Sequence, residues 1–283
     1  MCSFFLGQNL LGFSSPWKER LSGFFDQELK VAHLLIGFFL PIFAFFLKKK
    51  TKSFHMYLIL FLYFVILILT NERANIIRGT LAILIFILFL PFFKRKFKLF
   101  ISAAIITIFL AILFFVEPIK NRFINEIFSM KVNNSIKNYV IMSNYGPHYL
   151  TSIEIFKYNK LLGSGIKTFR IECKKISLKK YYDSNDGRLN QGCSTHPHQY
   201  YFEILSELGI IGFLLFVSFF SYLTFRVIYQ FFKTKNFVLL AAGSFFIIQL
   251  IPLLPTGSFF TSFGSTIFFI NIGLIYAFLK MKN

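Results

Sequence analysis

Acidic residues are scarce: 12 Asp and Glu stand against 31 Lys and Arg, a formal net charge of +19. A surplus of that size suits nucleic acid, anionic lipid or the orientation of a membrane protein. No zinc finger, RNP motif or helix-turn-helix signature is present, and most cations flank apolar runs, so nucleic acid is not an expected partner. A signal peptide is lacking too. The start MCSFFLGQNLLGF has no basic residues, its apolar stretch is broken by Gly7, Gln8 and Asn9, and no cleavage site follows. Metal spacing is missing, because His196, His198, Glu203 and the cysteines do not form a recognisable ligand set; no cofactor is expected. There is no internal repeat and no matched pair of Gly or Pro interruptions, which weighs against a transporter or flippase.

What is abundant is apolar. Hydrophobic residues make up 55 % of 283 residues and mean hydropathy is +0.62, more than a soluble domain carries. Lys outnumbers Arg by 23 to 8, as in AT-rich coding, so each Arg stands out against the default cation. Apolar runs lie at 31–47, 54–70, 76–93, 99–116, 204–225, 236–254 and 259–279, all within spanning length. In lipid such runs are helices, because the backbone has no water to bond. The expected fold is an all-α integral membrane protein, a polytopic helical bundle of about seven transmembrane helices forming one membrane domain over 1–283. Lys48–Lys52, Lys94–Lys98, Arg226–Lys235 and Lys280–Lys282 all fall on one side, which the positive-inside rule makes cytoplasmic. Segment 117–203 then becomes a large loop on the outer side, between the fourth and fifth helices, a periplasmic loop if the membrane is a bacterial inner one. It is too polar to span, and its apolar periodicity around Tyr149–Phe156 predicts one or two helices lying over the membrane face.

Several residues in this frame have chemistry to offer. His196 and His198 flank Pro197 in the outer loop, directly before an apolar run; a single neutral imidazole there suits a general base. The bland reading is a turn with two solvated rings. Arg73 and Arg78 open the third helix, where an intramembrane cation marks a site or a partner, and snorkelling explains Arg73 better than the deeper Arg78. Arg20, Arg122, Arg170 and Arg188 are further outward-facing guanidinium groups, a shape suited to phosphate. Asp183-Ser184-Asn185-Asp186-Gly187 is an ordinary turn. Cys173 and Cys193 share the exported loop and are expected to pair as a disulfide.

His198-Gln199, nine residues, then Gly209-Ile210-Ile211-Gly212 resembles a motif of the bacterial O-antigen ligase/polymerase superfamily. Arg20–Glu28 is similar to its outer RxSGxF…E segment, Thr70–Ala74 to its ERA-type helix start, and Leu162–Gly165 with Phe169 to its G-x-G…F stretch. Each motif alone is weak; their order and common topological side make the set fairly specific.

The resemblance implies a glycosyltransferase of the GT-C type in the bacterial inner membrane, working at the periplasmic face without metal. Its donor would be an undecaprenyl-pyrophosphate-linked glycan, and its acceptor lipid A-core or a growing glycan. Carried over by motif, His198 becomes the candidate base and Arg73 a pyrophosphate clamp, with Arg170, Arg78 and Arg20 as further candidates. Pro197 is expected to separate the two imidazoles, and a helix starting after it to hold His198 on its first turn. His198 would then stand about 16 Å above Gly209 on a continuous helix, at 1.5 Å per residue. Gly209 and Gly212 are expected to admit a neighbouring helix. Members of the family usually have more helices upstream, so the chain is expected to be N-terminally truncated. An inactive remnant and a transporter stand as the alternatives.

Overall fold

The computed structural model describes residues 20, 30–47, 53–90, 94–125 and 140–280. It is all helical, with no strand among the described residues. The principal helices are α1 (Val31–Phe46), α2 (Ser53–Leu69), α3 (Arg73–Phe89), α4 (Arg95–Phe115), α5 (Gly146–Tyr158), α6 (Tyr200–Thr234), α7 (Phe237–Gln249) and α8 (Ser262–Lys280). Each of the seven apolar runs overlaps one of these helices. Three of them, α4, α6 and α8, are long and apolar enough to cross a membrane; α1, α2 and α7 are apolar but shorter. The lysines at 48–52 and 281–283, residues 21–28 and Cys2 lie outside the described residues.

The chain divides into two compact units. The first comprises residues 1–125, 224–249 and 267–283. In it α7 packs on α1 and α3, and α2 and α4 also lie against α3. Small residues permit the close approach: a Cβ on Gly37 would strike the Ile267 side chain, and one on Gly243 would strike Val227. Fully buried Phe86, Phe245 and Phe246 fill the remaining space. The amide of buried Asn271 donates to the Gly37 carbonyl at 2.9 Å, a polar tie inside an otherwise apolar bundle.

The second unit comprises 126–223 and 250–266. Most of the segment read as an outer loop is folded here around α5. Leu150, Leu178 and Tyr182 form one buried cluster, and Ile155, Phe169 and Cys173 another. The Tyr182 hydroxyl donates to the Ile141 carbonyl at 2.6 Å. Glu154 accepts from Tyr181 and pairs with Lys157 and Lys180 at 2.8 and 2.7 Å. Burial pushes its carboxyl up, but these donors outweigh it and hold the pKa at about 2. Arg188 is committed to structure: its guanidinium grips Asp186 at 2.7 Å and donates to the Met142 carbonyl at 2.8 Å. Cys173 and Cys193 are joined as a disulfide, Cα–Cα 5.0 Å.

Two of the boundaries that differ from the apolar runs bear on the site. α6 begins at Tyr200, four residues before the apolar run, because the polar side chains of its first turns find partners. α7 stops at Gln249, not 254; Pro252 disfavours helix before it, and the chain beyond is tied to α6 by the Tyr201 hydroxyl, which donates to the Leu250 carbonyl at 2.6 Å.

Candidate functional site

The site in the second unit is built where α6 begins. The Gln199 side chain caps the helix, accepting from the Tyr201 amide at 2.7 Å. His198 therefore lies before the helix and not on its first turn. Its φ is +59°, a region that non-glycine residues enter at a cost of about 1–3 kcal/mol. The connection between α7 and α8 holds it there: the Thr256 amide donates to the His198 carbonyl at 2.7 Å. That connection is fastened in turn by buried Glu203 of α6, which accepts from the Ser258 hydroxyl and from the Phe259 amide, the latter at 2.6 Å. Glu203 had been weighed only as a metal ligand; its work here is to anchor the loop that holds His198.

Pro197 does not separate the imidazoles. The rings of His196 and His198 are 4.2 Å apart between centroids, because the turn at Pro197 folds both toward the same side. A third ring joins them: His148, on the first turn of α5 just after Gly146-Pro147, lies 5.0 Å from His198. Tyr145 completes the contact at 5.4 Å. No local sequence signal marks His148, since 50 residues separate it from its partner. Burial pushes His198 down to about 3, and the neighbouring His196 and His148 push the same way. His196 is lowered to about 4 by burial and then by His148; Arg170, exposed on the short helix Phe169–Glu172, adds a smaller push. His148 is also lowered, by burial. All three rings are thus neutral at pH 7, the form that accepts a proton.

Gly209 serves differently from expectation. α6 is broken there, at φ +64° and ψ −166°, so it is not one continuous rod. The segment 160–165 is spliced into the break. The Ser164 and Gly165 amides donate to the Ser206 and Glu207 carbonyls at 3.0 and 2.9 Å, and the Ile210 and Ile211 amides donate back to Lys160 and Leu161. These bonds replace those the helix loses. Gly163 and Gly209 meet face to face, and a Cβ on either would strike the other's strand of backbone. Gly209 thus admits a loop, not a helix. Gly212 admits neither, because a Cβ there would meet Leu208 of its own helix. Buried Glu207 completes the splice by accepting from the Lys167 and Phe169 amides at 2.6 and 3.0 Å, which holds the start of the turn bearing Arg170.

The disulfide reaches the same region, since Cys193 is three residues before His196 while Cys173 is buried beside Phe169. In intact, unreduced cells neither sulfur is expected to react with a thiol reagent, and exposed Cys193 should label after reduction. Closing a 20-residue loop should stabilise by about 3 kcal/mol in the chain-entropy model. Ready labelling of both without reductant would contradict the pairing.

In the first unit, Arg78 and not Arg73 is the buried guanidinium, 1 % exposed. It shares a helix face with Asn75 and Glu72: Arg78 donates to Asn75 at 3.4 Å and Asn75 to Glu72 at 2.7 Å. Arg73 is half-buried at the helix start. Arg20 is half-buried, and the rest of its segment lies outside the described residues, as does the side chain of Arg122.

No curated protein matches the chain in a sequence search. The family model described as O-antigen ligase matches residues 58–217, more than half of the chain and a stretch that holds Arg73, Arg78, Arg170, all three clustered histidines, Gly209 and Gly212. On that match this membrane protein belongs to the O-antigen ligase family.

Proposed function

We propose that the chain is a glycosyltransferase that moves a glycan from undecaprenyl pyrophosphate to lipid A-core or to a growing glycan, as ligase or polymerase. The observation that carries this reading is the imidazole cluster: His198 is neutral, backbone-locked and half-buried against neighbouring rings at the mouth of α6, inside the family match. In the proposed step the acceptor hydroxyl gives its proton to His198 while its oxygen attacks the anomeric carbon. The bond from that carbon to the pyrophosphate oxygen breaks, and undecaprenyl pyrophosphate leaves. Such a step needs a base at the acceptor and cationic stabilisation at the leaving group, and no metal. A pyrophosphate near the rings raises their pKa values, which makes His198 a better acceptor when donor is bound.

Arg73 carries the clamp role given by the resemblance, with Arg78, Arg170 and Arg20 as supporting cations. Arg73→Lys is expected to behave as a loss of function in transfer assays, because lysine keeps the charge but not the two-pronged fork. Wild-type rates in that variant would remove Arg73 from the site.

The membrane reading extends to seven spans in the bacterial inner membrane with 117–203 in the periplasm. Tags at Arg95 and Lys235 should report the cytoplasm, and a tag at Asn185 the outside. A cytoplasmic report from Asn185 would overturn the topology.

A further inference from the structure

Residues 158–171 turn an apolar surface outward from a folded unit. Tyr158 is 78 % exposed and Leu162 74 %, and Leu161, Ile166 and Ile171 are exposed beside them. None belongs to either buried cluster of this unit. A soluble surface rarely gathers so many large apolar side chains within fourteen residues.

The depth of this surface is fixed by backbone. The carbonyls of Lys160 and Leu161 accept from the amides of Ile210 and Ile211 at 2.9 and 3.3 Å, so the segment is fastened to α6 just past Gly209. That point is a boundary in α6. Before it come Glu203 and Glu207, buried and bonded; after it the helix has no acidic residue and exposes Ile211, Leu214 and Leu215. α6 is one of the three helices long and apolar enough to cross a bilayer. A segment bonded to the first residues of its lipid-facing stretch lies at the level where that stretch enters the membrane. The segment also carries the matching charge: Lys160, Lys167 and Arg170, with Lys174 just beyond it, are exposed around the apolar residues. An apolar body edged by cations is the composition of a segment that lies in a lipid interface.

We infer that residues 158–171 form a wedge seated in the interface of the bilayer that α6 crosses, with Tyr158, Leu161 and Leu162 among the upper acyl chains and Lys160, Lys167, Arg170 and Lys174 at the phosphates of anionic lipid. The wedge rests on the membrane reading of α6 and is independent of the transfer chemistry. It also gives Arg170 a place at the level of lipid phosphates, which is where a lipid-borne pyrophosphate travels.

The chain has a single native tryptophan, Trp17, so a Trp17→Phe background allows one reporter to be placed at will. The full chain carrying Leu162→Trp is reconstituted in vesicles of phosphatidylethanolamine and phosphatidylglycerol whose acyl chains are brominated near the headgroup. Its emission is expected to be blue-shifted, quenched by the brominated lipid and shielded from aqueous acrylamide. Asp183→Trp, in the exposed turn, is expected to show the reverse. Ile166→Trp supplies an independent reporter on the same surface if Leu162→Trp does not fold. Replacing phosphatidylglycerol by phosphatidylcholine is expected to weaken the lipid quenching, and unchanged quenching would overturn the assignment of the cationic edge to anionic lipid. Acrylamide access equal to that of Asp183→Trp, without lipid quenching, would overturn the wedge and leave the surface to a protein partner.

Discussion

His198→Ala is expected to lower glycan transfer by about a hundredfold or more, the scale of a positioned general base, while donor binding survives. His196→Ala should cost much less. Its ring is only 4.2 Å from His198, but the motif spacing to Gly209 and Gly212 selects His198. The pH profile separates a base from a packing residue. A half-buried imidazole whose pKa is lowered to about 3 stays neutral as pH falls through 6.5, so the acid limb of kcat/KM should lie well below 6.5. The sign for stability is opposite. Unfolded histidines take up protons near 6.5 while the buried rings do not, so the folded state loses stability as pH falls from about 6.5 toward 3. Rates at low pH are therefore read in brief pH-jump assays. An acid limb at 6.5, or full transfer by His198→Ala, would refute the assignment.

Gly209→Ala is expected to destabilise the folded protein strongly. At φ +64° and ψ −166° the backbone is in a region that glycine alone occupies readily, and a side chain there costs about 1–3 kcal/mol before any contact is counted. The contact adds to it. The new Cβ would strike the Leu161 carbonyl, and that carbonyl cannot retreat without releasing the Ile211 amide. Thermal unfolding in detergent should fall by about 5 °C or more, taking a few degrees per kcal/mol. Gly163→Ala should behave the same way, since its φ is +71° and its Cβ would meet Glu207 backbone. Gly257→Ala is the control, because nothing lies within 4 Å of a Cβ there. A Gly209→Ala protein as stable as the Gly257→Ala control would show that the splice is not a structural joint.

The helices were readable because long apolar runs favour helix, and each of the seven runs overlaps a helix in the structure. The polar start of α6 was legible as a helix after Pro197, but what holds it was not, since Ser258, Phe259, Lys167 and Phe169, which satisfy Glu203 and Glu207, are remote in sequence. The pattern that singled out Gly209 marked a special position without its reason. A helix break filled by residues 160–165 is a tertiary event with no local signature beyond Gly163 and Gly165. His148 was invisible for the same reason: its partner lies 50 residues away, and Gly146-Pro147 signals only that a helix starts. Arg78 was the opposite case. Its depth in the apolar run pointed to burial, and it is buried, with Asn75 and Glu72 as the polar relay along its face.

The central claim, metal-independent glycan transfer with His198 as base, is tested most directly by giving the purified, reconstituted chain an undecaprenyl-pyrophosphate-linked glycan and lipid A-core in the presence of EDTA. Ligated or extended product with release of undecaprenyl pyrophosphate is expected from the wild-type chain, and about a hundredfold less from His198→Ala. Product that requires added metal, or equal product from both proteins, would contradict it.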